Sequence, residues 1–595
     1  MEDDDSLDRL PDELLQSILF YLPAQSALRF AQVSKRFCKL TDEPLLWRHY
    51  CRNTWEYWDE EHELQAKLKA PALETPWKEL YRTRGLRDRL VGTELDRLLS
   101  TQQGRLAHIE KISRLHYDAR DALQREWVLA EDAEDVLARR YWIDAILSLI
   151  QREAAIRIWT ALGQGKDVPL EKALGAYDMF VNDRKRGDLG DFLAGLDNVA
   201  AQIRAATPDF DALTHRQKAL TVTSYLRAKR LVGIDEETNY HALQNNFIGQ
   251  ALLGDEHHSL PLQSAALYCC VARRLGLNAQ LCGYPFHIYA IVTAPEGETL
   301  DSCASRADAR PEVMYLDPWR NEDEVLVGDL EVKLREMGIP SSLHTQYVGP
   351  VTTSELVIRT GRNIFRSIQD AQGVLVPTAR PTWHLKHPDP DSAFYSMLWS
   401  AVLVSNSLNA DGQEQPVRQH RRSTYLPHLL QHFHTHHIED IGLVERHLLP
   451  LFHDRAEVRQ ILLRAHEIWE GDRNARPVVR RDWSARNVLY RVGQVFEHRR
   501  YGYEGVVVGW DAQCNATEQW CSQMQVDRLQ QGRQQSFYHV LVDDKSTRYV
   551  AEENIHALDS QPSQPLLLLA GRYFKRWDAA SMRFVSNVRD EYPDD

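Results

Sequence analysis

Along the first fifty residues, apolar side chains recur at helical spacing. Leu14, Leu15, Ile18, Leu19 and Leu22 fall on one stripe in steps of one, three and four, and Pro23 ends it. Pro11 suits the first helical position, and Asp12 and Glu13 complement the positive end of the helix dipole. A second helix follows, with Ser26 as its cap and Leu28, Ala31, Val33 and Phe37 as its apolar positions. Leu45, Leu46 and Trp47 belong to a third. About forty residues are too few to enclose this much Leu, Phe and Trp in a core of their own. The excess must face the rest of the chain or a partner.

The pattern then changes three times. A long helical zone, rich in Arg, Glu, Leu and Ala, runs to about Leu253 and contains the linker-like "WKELYRTR" (Trp77 to Arg84). A mixed zone follows, in which the helix "SLPLQSAALYCCVARRLGL" (Ser259 to Leu277) precedes the strand-like runs "HIYAIV" and "VMYLDP". A further helical stretch ends near "AHEIWEGDRNARP", and a strand-rich segment begins at about Val488. There "VFEHRRYGYEGVVVGWD" reads as a hairpin turning at Tyr501–Gly502, and "FYHVLVDD" with "TRYVAEENI" as a second around Asp544–Ser546. "ALDSQPSQPLLLLAGRYFKRWD" returns towards a terminal strand. The expected fold is multidomain α+β, with a helical amino terminus, a mostly helical middle holding an α+β domain, and a small antiparallel β-barrel at the end. The domains are read as 5–52, 53–140, 141–360, 361–480 and 488–592.

Composition narrows the function. A net charge of −14 over 595 residues argues against broad, sequence-independent nucleic-acid binding, which needs a basic surface. No run approaches the roughly 18 apolar residues of a membrane span, so no membrane partner is expected. The acidic start "MEDDDSLDRL" is the reverse of a secretory or transit signal, which points to cytoplasm or nucleus. The eight cysteines contain no CxxC pair and are read as free, mostly buried thiols; neither a structural zinc nor any cofactor is expected. His428, His432 and His436 share one helical face, but no acidic HExxH pattern accompanies them, so metal binding is not assigned there.

The stretch "LPDELLQSILFYLP…LRFAQVSKRFCKL…EPLLWRHY" resembles an F-box throughout. The resemblance implies docking on a Skp-type adaptor that hangs from a cullin scaffold in a ubiquitin ligase. Leu10, Pro11, Leu14, Ile18, Leu19 and Val33 would face that adaptor.

From about Asp188 to Gly328 the chain resembles a bacterial transglutaminase-like family, through Asn239, Tyr240, Asn245, Leu260, Pro261 and "VARRLGL". In active members a cysteine at a helix start is held as thiolate by the helix dipole, and a histidine and an aspartate complete the triad. Here the resemblance maps those two onto His287 and Asp317, while the nucleophile slot falls at or next to Pro261. Cys269 and Cys270 lie roughly 12 Å into the helix. The apolar pattern turns Cys269 to a core, so both thiols are expected to be inert. Ser259 and Ser264 are nearer the start, but an unactivated hydroxyl replaces a thiolate poorly. The triad is therefore read as vestigial.

The segment "GQVFEHRRYGYEGVVVGWD…FYHVLVDD" resembles the YccV/HspQ, or hemimethylated-DNA-binding, domain. Arg499, Arg500, Tyr501, Trp510 and Tyr538 are candidate contacts to a client protein or to DNA. From Val488 to Asp595 there are 12 Lys and Arg against 15 Asp and Glu, a net of −3, which favours protein over DNA. Arg499 and Arg500, with Arg528 and Arg533, are the only local basic patch in view.

The domain order resembles the F-box only protein 21 family. It implies a non-catalytic substrate-recognition subunit, with an unidentified client. The alternatives are a DNA reader acting through the YccV-like domain, and a protein-modifying enzyme with an altered Cys-His-Asp triad.

Overall fold

The computed structural model describes residues 7, 10–181, 188–235, 239–305, 310–373, 388–404, 416–482 and 485–595. The chain divides into two compact units: residues 1–150 with 469–595, and residues 151–468.

The first unit opens with four helices rather than three: α1 (Asp12–Tyr21), α2 (Ala24–Phe30), α3 (Lys35–Thr41) and α4 (Pro44–Thr54). The extra break comes at Ser34, whose hydroxyl accepts from the Phe37 N–H at 3.2 Å and starts α3 as a separate helix. Ser26 lies inside α2, which is preceded by Pro23, so it is not the cap. The apolar stripe of α1 is split. Leu15 and Leu19 join Phe37, Leu40, Leu46, Trp47 and Tyr50 in one small core. The Tyr50 hydroxyl closes it by donating to the Leu19 carbonyl at 2.6 Å. Leu14, Ile18 and Leu22 lie outside it and remain exposed. The linker-like segment is a long helix, Trp77–Ser100, whose buried Trp77 completes the same core.

The carboxy-terminal part of this unit contains a five-stranded antiparallel sheet. In the whole chain, strands β1 to β4 belong to the second unit: Asn278–Cys282, Tyr289–Thr293, Val313–Leu316 and Glu324–Val325. Strands β5 (Val495–His498), β6 (Glu504–Asp511), β7 (Phe537–Val542), β8 (Thr547–Ala551) and β9 (Ile555–Ala557) form the five-stranded sheet in the order β8-β7-β6-β5-β9. β10 (Phe574–Asp578) and β11 (Arg583–Ser586) make a separate hairpin. Both expected hairpins form, with Gly502 at φ +63° in the first turn and Lys545 at φ +68° in the second. One face of the sheet buries Val507, Trp510, Tyr538 and Val540 in a core with Leu566, Phe574 and Phe584.

In the second unit, the antiparallel sheet β1-β2-β3-β4 packs on the Pro261–Arg274 helix, which is buried from Pro261 through Ala272. That depth of burial fits a helix with small and apolar residues on every side. Among the described residues, no helix is long and apolar enough to cross a membrane.

The histidine run departs from expectation. His428 and His436 are exposed, but His432 is buried, and His437 stacks on Tyr395 with ring centres 4.4 Å apart. Burial lowers His432 to about 3, and burial with the nearby Arg152 lowers His437 to about 3; Asp389 and Asp440 oppose this only in part. Both are neutral in the fold, against about 6.5 in an unfolded chain, so stability is lost as pH falls below about 6.5. At pH 5 the loss is about 2 kcal/mol per histidine. Melting temperature is expected to fall between pH 7 and pH 5, and less steeply in a His432→Gln/His437→Gln variant. Equal slopes would contradict this assignment.

Candidate functional site

Three places gather the side chains singled out in the sequence. The first is the outer face of α1 and the turn after α2. Leu14 is 52 % exposed, Ile18 42 % and Val33 69 %, and Pro11 is exposed beside them. Leu10 is half-buried against the helical core, and Arg36 donates to its carbonyl and to Asp12, tying α3 to the start of α1. Leu19 corrects the expectation: it is only 1 % exposed and belongs to the core, one helical step from the outer stripe. Tyr21, at 91 % exposure, extends the apolar surface; it stands three residues after Ile18 and seven after Leu14, a helical spacing that could have marked it.

The second place surrounds the buried His287 and Asp317. Asp317 follows β3 and His287 precedes β2, and pairing of these strands brings the two side chains together. His287 Nε2 lies 2.8 Å from Asp317 Oδ2, with both side chains buried. Two arginines absent from the sequence reading hold these loops. Arg359 donates to the carbonyls of Tyr284 and His287, and Arg227 to those of Pro318 and Trp319. Neither gives a local signal, because each reaches backbone far away in the chain.

The start of the Pro261–Arg274 helix carries no thiol. Ser259 and Ser264 hydroxyls bond each other at 2.6 Å, Gly233 N–H donates to Ser264, and the Trp319 indole donates to the Ser259 carbonyl. These hydroxyls are committed to holding the loop. Cys269 and Cys270 are fully buried, and burial pushes Cys269 up to about 12 and Cys270 well above its ordinary value. Iodoacetamide at pH 8 should therefore label the exposed Cys38 and Cys303 in the folded chain and spare Cys269 and Cys270 until unfolding. Labelling of either helix cysteine at the rate of Cys38 would refute it. Beside the dyad, Phe286 is 93 % exposed at φ +60°, a strained conformation for a bulky residue, and it presents its ring to solvent.

The third place is the carboxy-terminal sheet. Arg500 and Tyr501 are exposed, with the guanidinium over the ring at 5.3 Å. Arg499 is fixed to the Ile555 carbonyl at 3.1 Å. Trp510 and Tyr538 are corrections. They sit opposite each other in the β6–β7 register, and both side chains enter the core, at 2 % and 0 % exposure. Their polar atoms are spent internally: the Trp510 indole donates to Asp595 at 2.7 Å, and the Tyr538 hydroxyl donates to Glu552 at 2.5 Å. The basic patch is also smaller than the sequence suggests, because Arg533 is held by Glu518 and Asp527.

A further trio joins two carboxylates and an imidazole, with Asp118 far from the other two in the sequence. Glu61, His62 and Asp118 bring ligand-type atoms within 4.8 Å of one another. Arg87 donates to Glu61 at 2.6 Å and to Asp118 at 2.5 Å, and Arg84 lies 3.4 Å from Asp118. Guanidinium groups thus supply the positive charge there, and the trio needs no ion for its balance.

Comparison with known proteins finds three family models. Residues 7–53 match the F-box-like family model, residues 190–362 the transglutaminase-like superfamily, and residues 488–581 the family described as hemimethylated DNA-binding protein YccV like. The chain is 23 % identical to F-box only protein 21 of Mus musculus over 99 % of its own length and 92 % of the relative's. It is 22 % identical to F-box only protein 21 of Homo sapiens over 98 % and 92 % of the two chains. No solved structure gives a significant match. The chain thus carries an F-box-like, a transglutaminase-like and a YccV-like domain in that order, and is similar over nearly its whole length to proteins named F-box only protein 21.

Proposed function

We propose that this chain is the substrate-recognition subunit of a Skp–cullin–F-box ubiquitin ligase, acting in cytoplasm or nucleus. The F-box docks a Skp-type adaptor through Leu14, Ile18 and Val33, with Pro11 and the edge of Leu10. The transglutaminase-like and YccV-like domains hold the client protein. Ubiquitin transfer belongs to other subunits, and the transglutaminase-like domain acts as a binding cleft.

One observation carries this reading. The helical segment completes a core around Trp47 and Trp77, yet leaves Leu14, Ile18 and Val33 between 42 % and 69 % exposed. An apolar surface of that kind on a folded segment is stabilised by a partner. Affinity purification of the chain with and without its first 53 residues tests it. Loss of adaptor and cullin from the truncated chain, with other partners retained, is the expected result. An unchanged set of partners would overturn the reading.

The His287–Asp317 pair favours one second reading, a protein-modifying enzyme with an altered triad. Asp317→Asn separates the two: an enzyme loses turnover of a client, whereas a receptor loses at most client affinity. DNA reading is disfavoured by the net charge of −3 and by the carboxylates that occupy Arg533.

A further inference from the structure

We propose that the free edge of β8 captures an extended, acidic segment of the client by adding it as a further strand of the carboxy-terminal sheet. This rests on the reading that the YccV-like domain holds a client, and it names how.

The hydrogen-bond pattern fixes which groups are available. β8 ends the strand order, with β7 on its inner side. Glu552 N–H donates to the Ser536 carbonyl at 3.0 Å, and Val542 N–H donates to the Ser546 carbonyl at 2.9 Å. In an antiparallel pair, backbone groups turn towards the neighbour at every second residue. Ser546, Arg548, Val550 and Glu552 therefore face β7, and Thr547 and Tyr549 turn their N–H and C=O outward. Among the described residues, no backbone hydrogen bond reaches those outward groups. Two residues thus offer a donor and an acceptor each, in the spacing an extended peptide matches.

The surroundings suit a chain rather than a small molecule. A cavity of about 1090 Å³ is lined by every residue from Ser546 to Ala551, so it follows the strand edge. It exceeds the ~300–1,000 Å³ typical of small-molecule sites. On one side stand the Tyr501 and Tyr503 rings, 8° from parallel, and on the other Trp520 and Met524. These walls can take the alternate side chains of an added strand.

Charge decides the kind of peptide. The cavity lining holds Arg476, Arg500 and Arg548 against Asp511 and Glu591, in a domain whose net charge is −3. Arg476 pairs with Glu591 and Arg548 with Asp544. Arg500 forms no ion pair among the described residues and lies on Tyr501 at the rim. An acidic side chain of the bound strand is its natural counter-charge.

The test uses the full-length chain and a fluorescein-labelled peptide, Glu-Val-Thr-Val-Glu-Val, followed by anisotropy. Thr547→Pro removes one outward N–H and takes no bond from β7, a change an edge strand tolerates. Binding to this variant should weaken about tenfold. Arg500→Glu should weaken it similarly, with unchanged melting. A copy of the peptide N-methylated at alternate residues should lose affinity for the wild-type chain, which tests the backbone mode without any protein variant. Absence of binding to wild type, equal binding by Thr547→Pro, or equal binding of the N-methylated peptide would each overturn the proposal. Adaptor capture measured on the same samples reports on the ligase reading separately, because β8 is not in the F-box.

Discussion

Replacing Leu14 and Ile18 together with aspartate is expected to abolish capture of a Skp-type adaptor by the full-length chain while leaving its thermal melting unchanged. Both side chains are about half exposed in the folded chain, so the substitution removes no core contact. Changes at exposed positions of this kind usually alter stability by at most about 0.5 kcal/mol. At an interface the balance differs. Each lost apolar side chain forgoes about 1.5–3 kcal/mol of burial, and each carboxylate must also be stripped of water without a partner. Two such sites together weaken association by more than about a hundredfold. Pull-down of a purified adaptor, with circular dichroism on the same samples, reads both quantities. The paired control is Leu19→Asp, which places a charge inside the core under Tyr50 and should melt the helical segment. If the Leu14/Ile18 variant still captured adaptor at wild-type strength, the outer face of α1 would not be the docking surface.

The largest expected loss of stability lies in the second unit, at Arg152. Its guanidinium meets Asp440 through two bonds, Nε to Oδ2 at 2.8 Å and Nη2 to Oδ1 at 2.6 Å, and both side chains are buried. Burial opposes the charge on each group, while the pairing holds Arg152 protonated. Arg152→Leu leaves the Asp440 carboxylate buried beside apolar surface and should cost about 3–5 kcal/mol. Arg152→Leu with Asp440→Leu removes both charges and should recover most of that loss, since an apolar pair of similar volume can replace a buried ion pair. Chemical denaturation of the four proteins in the cycle measures the coupling. Additive losses in the double variant would show that the two side chains do not stabilise each other.

Much of the layout was legible because it depends on local pattern. The hairpin turns at Gly502 and near Asp544–Ser546 follow from residues that favour left-handed or turn backbone, and the structure has them there. The stripe of α1 follows from helical spacing. Spacing alone did not divide it, because Leu14, Leu15, Ile18, Leu19 and Leu22 cover two adjoining faces, and which face points inward depends on where Trp47 and Trp77 sit. The same limit explains Leu19, which spacing places with the outer residues although it belongs to the core.

Trp510 and Tyr538 were misplaced for a different reason. The family pattern marks them as conspicuous aromatics, whereas strand pairing, with a bulge between Val507 and Gly509, places them with Val507 and Val540 on one buried face. Tyr501, in the turn, stays outside. His432 shows the converse: helical spacing gave its face, but only packing against Tyr395 and Phe394 shows that the face is buried. The meeting of His287 with Asp317 follows from family resemblance alone, since two residues thirty positions apart carry no local sign of it. Arg227 and Arg359, which hold the two loops by backbone carbonyls, left no pattern at all.

The central claim concerns association, and size-exclusion chromatography with light scattering tests it most directly. The full-length chain is mixed with a purified Skp-type adaptor, and the mass of the eluting species is measured. The account predicts one species with the summed mass of one copy of each. Two separate peaks, each at its own mass with both proteins folded, would contradict it.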